Sequence, residues 1–516
     1  MGAGVRAVGD ILRLNARRFP RKPGFRFGAG SLTFEQADEM ANRAANGLRR
    51  IGVNPGDRVA MLALNRLDYL PLFFGTVRTG AMSVPLNFRC SVDELAYMLD
   101  DAQVATMLVG PGFEAVALAL RERVRCLEAL VAIGGGPDAG PMTPLDALLA
   151  AASPEAPGTA IDEASGAVIF YTSGTTGHPK GVVLSHRSIV EGACQTALVA
   201  RIRSSDTALV TVPLFHGGGL AVVSMSHLYL GAGLVIHDKA DPGEALRSIA
   251  GDGITTYFGV PSQLFAMLEH PDLKDADLGS LRSLWYGAAP MPPVVLQRLQ
   301  AMLPRLDFVQ TYGQTETTLT ACLGPEEHFS KPGATGRELP GVEIRVVDDE
   351  GREVSPGGVG EILVRRESGM IGYYGNPQQT AETIRDGWIH TGDLARIDED
   401  RYITIVDRKK DMILSGGENI YPKEVEDVLL QHPAVAQVAV IGVPDERWGE
   451  VPKAYVVPRP AAAADAAVLE AWCMERLARY KRPRHWSFVQ GLPMTATGKV
   501  RKNLLREIDR QAGEAR

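Results

Sequence analysis

The sequence predicts an α/β protein: a large N-terminal domain of helix-flanked sheets, a small β-rich subdomain over about 336–407, and a small α+β C-terminal domain. Three observations lead there. The 516 residues exceed what one ordinary core accommodates, so two or more domains are expected. Helical and strand patterns alternate as far as about residue 330, the grammar of an α/β sheet. Past Gly336 hairpin patterns take over, and the charge run 407–411 separates them from a compact segment of mixed periodicity.

The elements follow in order. Thr33 and Gln36 fit a capping box, in which each side chain satisfies the other's free amide. Ala37, Met40, Ala41, Ala44, Leu48 and Ile51 recur at helical spacing, and Gly52 supplies the stop. Asn54 to Asp57 read as a turn before the apolar run Val59 to Leu64, a buried strand. Further on, Glu343–Val347, a turn at 348–351, Glu361–Arg365 and Tyr402–Val406 predict hairpins. Asp407, Arg408, Lys409, Lys410 and Asp411 have no apolar anchor, which predicts a solvated loop and also suits a hinge. Beyond it, helices are expected over Glu424–Leu430 and Val468–Tyr480, and strands over Val435–Val443, Lys453–Val457 and His485–Val489.

Composition bounds the function. An apolar fraction of 45% with 22% charged residues is that of a soluble globular protein. With 54 basic and 61 acidic residues the formal charge is −7, which argues against a nucleic-acid partner but leaves room for a local basic pocket. Cys90, Cys126, Cys194, Cys322 and Cys473 are far apart and form no CxxC, against a disulfide framework or zinc site. The first residues lack a continuous apolar signal region, and Arg6 stands where a myristoylation motif has Ser or Thr. No run reaches the ~18 apolar residues of a transmembrane helix. A cytoplasmic location is expected, and a homo-oligomer stays open.

The most informative stretch is 172–181, TSGTTGHPKG, after the apolar run Ala167–Tyr171. Its glycines let the backbone turn amides inward, and the hydroxyls of Thr172, Ser173, Thr175 and Thr176 add donors, a cradle suited to phosphates. A plain polar loop is the bland alternative. The Walker A loop fails as a rival: Gly181 follows Lys180 where a hydroxyl is needed, and Pro179 would stop a helix from running on.

This stretch resembles the signature of the acyl-adenylate-forming superfamily: acyl-CoA synthetases, firefly luciferase and peptide-synthetase adenylation domains. Further segments resemble the family's motifs in order, over nearly the whole chain. By that resemblance the cradle is Thr172, Ser173, Gly174, Thr175, Thr176 and Gly177 with Lys180. Segment 284–290, LWYGAAP, resembles the strand and turn lining adenine, through Gly287, Ala288, Ala289 and Pro290. Segment 310–316, QTYGQTE, resembles the YGxTE motif: Gln310, Thr311 and Gly313 line the nucleotide, Tyr312 stacks on adenine, Thr315 contacts the α-phosphate and Glu316 holds magnesium. In HTGDL, 390–394, the resemblance implies that Asp393 accepts both ribose hydroxyls, with Arg408 as the second ribose contact and Lys410 as the hinge. Segment 415–422, SGGENIYP, is similar to acyl-CoA synthetases rather than peptide-synthetase domains, placing Ser415, Gly416 and Gly417 along the channel for coenzyme A. Segment 493–502, PMTATGKVRK, resembles the loop of the catalytic lysine, here Lys499, although Met494 stands where a basic residue is frequent.

The implied chemistry is attack of a carboxylate on the α-phosphorus of ATP, then transfer of the acyl group to coenzyme A. Lys499 would bridge the carboxylate and the α-phosphate, with ATP, Mg2+ and coenzyme A as cofactors and a small-molecule carboxylic acid as substrate. The resemblance implies an N-terminal domain over 1–407, a hinge at 408–410 and a mobile C-terminal domain over 411–516. For the acyl pocket it offers His216 in 212–219, VPLFHGGG, and Tyr257 and Phe258 from the strand 254–260. No charge occurs in 254–260 or 286–290, which favours a neutral fatty or aryl acid over a second carboxylate. The rivals are an adenylating enzyme that loads a carrier protein, a luciferase-like oxygenase, and a non-catalytic nucleotide-binding protein. Intact Lys499, Glu316 and Asp393 speak against the last.

Overall fold

The computed structural model describes residues 5–134, 140–172, 179–289, 291–459, 465–494 and 500–514. Local signals form the first elements as expected. The Thr33 hydroxyl accepts from the Gln36 amide at 3.2 Å and the Gln36 side chain accepts from the Thr33 amide at 2.9 Å, starting the helix Phe34–Arg50. Gly52, at φ 101°, turns the chain out of that helix toward the strand Arg58–Leu62.

Two large sheets dominate. In the first, Arg58–Leu62 pairs in parallel with Met82–Pro85 on one side and Thr106–Val109 on the other. Its near edge is the antiparallel pair Gly166–Thr172 and Lys180–Ser185, finished by the two-residue strand Gly372–Tyr373. In the second, Thr207–Val210, Thr256–Gly259, Ser283–Gly287 and Asp307–Gln314 run parallel, and Thr318–Leu323 turns back on Asp307–Gln314.

Parallel strands buried on both faces need apolar side chains on both, which is why they read as continuous apolar runs. Between the sheets, Leu12, Ala41, Phe73, Ile189 and Leu228 from five helices share one core with Met61, Val168, Val210 and Trp285 from the strands. Leu95, Leu99 and Leu120 cover the outer face of the first sheet, and Leu246, Leu264 and Leu299 that of the second. Helices and sheets therefore alternate in five layers.

Thr172 and Lys180 are direct partners at the end of the antiparallel pair Gly166–Thr172 and Lys180–Ser185. Among the described residues the next helix begins at His186, beyond the second of these strands, unlike the strand–loop–helix of a Walker site.

Antiparallel strands Glu343–Val347, Val359–Arg365, Trp388–Ile397 and Ile403–Arg408 make the β-rich part of the large N-terminal domain. The small C-terminal domain packs Pro422–Leu430 and Ala466–Arg476 on the hairpin Val435–Asp445 and Gly449–Pro458. Val425, Leu429, Val440, Val456, Leu469 and Cys473 form its core.

Two expectations are corrected. The helix expected over Val468–Tyr480 stops at Arg476, because Leu477 takes extended backbone (φ −124°, ψ 141°) and buries its side chain in that core. The run 407–411 is a solvated stretch only in its middle: Arg408, Lys409 and Lys410 are exposed, but the two ends are not. Asp407 and Asp411 are each only 8% exposed: Asp407 accepts from the Lys423 amide at 2.8 Å and Asp411 pairs with Arg506 at 2.9 Å. Both carboxylates find partners in the C-terminal domain, which anchors the two ends of the run there.

Candidate active site

Segment 370–374 ties together the end of the first sheet and the turn after Gln314 in the second. The Ile371 and Tyr374 amides bond the carbonyls of Val183 and Gly181, and the Met370 amide bonds the Glu316 carbonyl at 2.9 Å. The Lys180 ammonium lies 5.2 Å from the centre of the Tyr373 ring, and the Tyr373 hydroxyl donates to Glu316 Oε1 at 3.0 Å. Thr315 and Glu316 sit in the turn between Asp307–Gln314 and Thr318–Leu323, with Gly313 just before it.

Asp393, 6% exposed, is the second focus. Its Oδ2 accepts from the Tyr312 hydroxyl at 2.8 Å and from Gln314 Nε2 at 2.7 Å, while Arg408 Nε stands 3.6 Å from Oδ1. Burial, then the Asp393 charge, hold the Tyr312 phenol well above its usual range, so it remains a donor. Gln314 was not among the sequence-predicted site residues. The signal was present, because it lies two residues beyond Tyr312 in one strand and the side-chain period of a strand is 2.

Strand Ser283–Gly287 supplies a close approach. A Cβ at Gly287 would stand 2.3 Å from the Thr311 carbonyl oxygen, so only glycine fits. The chain then turns sharply at Ala288, whose φ of 64° costs a residue with a Cβ roughly 1 kcal/mol. Ala289 is half-buried beside it. Thr311 is buried with its hydroxyl on the Tyr286 carbonyl, and the Gln310 side chain accepts from the Tyr286 hydroxyl.

Several cations lie near one another here. Lys410 is exposed over much of its surface, yet desolvation of its amine, followed by the charge of Arg408 and then those of Arg506 and Lys180 against the opposing Asp411, holds that amine below the usual lysine range. Arg408 is itself paired with Asp393 and Arg506 with Asp411. Among the described residues no group of three or more His, Cys, Asp or Glu could hold a metal by itself, and no ion pair engages Glu316. A lone carboxylate held by the Tyr373 hydroxyl, with the Lys180 ammonium over the face of that ring, fits magnesium shared with a nucleotide's phosphates, because Mg2+ takes few protein ligands.

Ser415 is buried, and Gly416 (φ 60°) and Gly417 (φ 88°) form the turn of a tight hairpin in the C-terminal domain. Both φ values are left-handed, as a type I′ turn requires. The Gly416 amide bonds the Trp448 carbonyl at 2.8 Å, and a Cβ on Gly416 would meet the Trp448 ring at 2.6 Å. His216 is half-buried, and its Nδ1 accepts from the Gly218 amide at 3.0 Å.

Tyr257 and Phe258 do not act together. As neighbours in one strand they face opposite sides of the second sheet: Phe258 joins Val212, Leu214 and Trp285, whereas Tyr257 is buried beneath the outer helices with Leu246 and Leu264. Only Phe258 faces the side of the His216 segment. Ser173, Gly174, Thr175, Thr176, Gly177, Pro290 and Lys499 lie outside the described residues.

A domain that brings a buried aspartate and a lone carboxylate together from separate sheets suits a nucleotide-binding enzyme. The chain belongs to the AMP-binding enzyme family, whose model matches residues 12–374, and the AMP-binding enzyme C-terminal domain matches residues 424–499. It is 40% identical over 493 residues to a feruloyl-CoA synthase of Amycolatopsis sp, covering 95% of this chain and 96% of that protein. It is also 37% identical to the fatty acid–[acyl-carrier-protein] ligase ScoC of Streptomyces coeruleorubidus, over 96% of this chain and 94% of that one. Among solved structures, the anthranilate CoA ligase AuaEII in complex with anthranoyl-AMP superposes with a TM-score of 0.93 at 30% identity, covering 98% of both chains.

Proposed function

We propose that the protein is an AMP-forming acid–thiol ligase that activates a neutral carboxylic acid with ATP and passes the acyl group to coenzyme A. The observation that carries this reading is the buried Asp393, held by Tyr312 and Gln314 two residues from Glu316, with Arg408 beside it. A ribose brings two adjacent hydroxyl donors, and Asp393 Oδ1 is the acceptor oriented for them. The relatives' names support an acid substrate and a thiol acceptor.

In the first half-reaction a carboxylate oxygen attacks the α-phosphorus and the bond to pyrophosphate breaks. Charge grows on the equatorial oxygens, so fixed donors and cations dominate the catalysis. Thr315 meets the α-phosphate, Lys180 and the 172–177 loop hold the β- and γ-phosphates, and Lys499 bridges the carboxylate and the α-phosphate. Magnesium at Glu316 would supply neutralising charge to the phosphates. Gly287, Ala288 and Tyr312 enclose the base.

In the second half-reaction a thiolate attacks the acyl carbon and AMP leaves. The C-terminal domain, 411–516, would turn about 408–410 and bring the Gly416–Gly417 turn to the acyl group. The acid is fatty or aryl, bound between His216 and Phe258, and the free thiols of all five cysteines suit the cytoplasm. A carrier protein as acceptor is the second reading, favoured by the likeness to ScoC.

Pyrophosphate exchange with a panel of fatty and aryl acids, with and without coenzyme A, tests the proposal. An acid-dependent exchange and a coenzyme A-dependent release of AMP are expected. Lys499→Ala should slow adenylation by about two to three orders of magnitude, the effect of losing one transition-state donor worth roughly 3–4 kcal/mol. Exchange at the wild-type rate in that variant would refute the role of Lys499.

A further inference from the structure

Tyr373 belongs to none of the segments that drew attention in the sequence, yet it touches two of the proposed phosphate-handling groups at once. Its backbone is part of the first sheet, paired with Val182, while its amide donates to the Thr380 hydroxyl at 2.9 Å. Gly372 before it is pressed against Thr380, where a Cβ would meet the threonine methyl at 2.7 Å. The tyrosine is therefore fixed from both sides and only 9% exposed. From this anchored strand the hydroxyl reaches Glu316 Oε1 at 3.0 Å, and the ring face lies under the Lys180 ammonium at 5.2 Å.

A phenol that donates to one carboxylate oxygen fixes the plane of that carboxylate and leaves the other oxygen free. An aromatic face under an ammonium fixes where the cation sits without consuming its N–H donors, because the attraction is to the ring's quadrupole. The Glu316 turn belongs to the second sheet and Lys180 to the first, so Tyr373 sets the spacing between a carboxylate and a cation that come from different sheets.

We propose that Tyr373 is a positioning residue, which orients Glu316 toward the metal bound with the nucleotide and holds Lys180 toward the pyrophosphate group. This rests on the ligase reading above and adds to it a residue whose two contacts are separable: the hydroxyl serves Glu316 and the ring serves Lys180. Tyr373→Phe removes the first and keeps the second, and Tyr373→Leu removes both.

The test is calorimetric titration of the full-length protein with ATP, with and without Mg2+, alongside pyrophosphate exchange and thermal unfolding. A hydrogen bond to a charged group corresponds to a factor of roughly ten or more. Tyr373→Phe is expected to raise the Mg2+ concentration for half-maximal ATP binding and exchange about tenfold, with metal-free ATP binding and the unfolding midpoint close to wild type. Tyr373→Leu should in addition raise the KM for pyrophosphate severalfold. Glu316→Gln should abolish the Mg2+ response in either background.

An unchanged Mg2+ titration in Tyr373→Phe overturns the proposal. So does a loss of activity that follows the loss of thermal stability while the Mg2+ dependence stays put, since that is the mark of a packing role. Wild-type protein that binds no Mg2+-dependent ATP overturns the ligase reading itself, and this inference with it.

Discussion

Replacing Lys502 by methionine tests the buried charge cluster that anchors Asp407 to the C-terminal domain. The Lys502 ammonium lies 2.8 Å from Glu426, and the two side chains are 14% and 17% exposed. Burial works against the charge of Lys502, yet Glu426, Asp407 and Asp411 together hold its amine above the usual lysine range. Taking the cation away leaves Glu426 and Asp407 with backbone amide donors but no counter-cation at Lys502, and breaking a buried pair in this way costs about 3–5 kcal/mol. At about 1.4 kcal/mol per decade, that predicts a loss of roughly two to three and a half orders of magnitude in amide protection. Hydrogen exchange read on the helix Pro422–Leu430 and the strand Val435–Asp445 would measure it.

The sign with pH follows. Lys502 has a raised value in the fold, so its stabilisation is complete below the lysine range and fades only as pH rises through it. Asp407 is also raised, chiefly by burial, and Lys502 is what pulls it back down. In the variant Asp407 should therefore protonate more readily, and the deficit, largest at neutral pH, should shrink as pH falls toward the carboxylate range. Adding Glu426→Gln should recover part of the loss. A cost below about 1 kcal/mol at pH 7, or no recovery in the double variant, would refute the reasoning, because solvent would then be screening these charges.

Three further outcomes are expected. His227 is fully buried, its Nδ1–H donating to the Val223 carbonyl and its Nε2 accepting from Thr256, and burial depresses it to about 4. It resists protonation only when folded, so stability should be intact above the free value of about 6.5 and fall as pH drops, by about 2 kcal/mol at pH 5. His227→Gln should flatten the slope of urea midpoints against pH between 7 and 5, and an identical slope would count against it. Gly287→Val should force the strands Ser283–Gly287 and Asp307–Gln314 apart, costing about 1–3 kcal/mol and raising the KM for ATP; wild-type ATP kinetics would remove Gly287 from the base site. Lys410→Pro, by fixing φ at that residue, should slow thioester formation more than adenylation in single-turnover assays, and an equal fall in both would end its role as hinge.

What the sequence made legible was chemistry that lies close together along the chain. The Thr33–Gln36 box and the break at Pro179 each depend on a few neighbouring residues, and each appears as expected. Tyr312 and Asp393 were nominated separately from their motifs, but the bond between them spans 81 positions and exists only because two sheets meet. Tyr373 and Glu316 are 57 positions apart for the same reason. The ends of the charge run were misread because the partners of its carboxylates are remote, with Asp411 meeting Arg506 95 residues later, and a charge run looks solvated throughout until its counter-ions are placed. That Tyr257 and Phe258 lie on opposite faces of their sheet was legible from strand alternation alone.

The pairing of Thr172 with Lys180 has a consequence for how the nucleotide's tail is gripped. Where a helix starts at a phosphate, its aligned peptide dipoles supply part of the countercharge from uncharged backbone. Here the residues flanking the loop are paired strands, and the first described helix after them begins at His186, on the far side of the second strand. On the proposed reading the full charge of Lys180 carries more of the grip, and full charges near solvent are weakened by added electrolyte. Affinity for ATP should therefore decline with ionic strength more steeply than in folds that rest the same group on a helix.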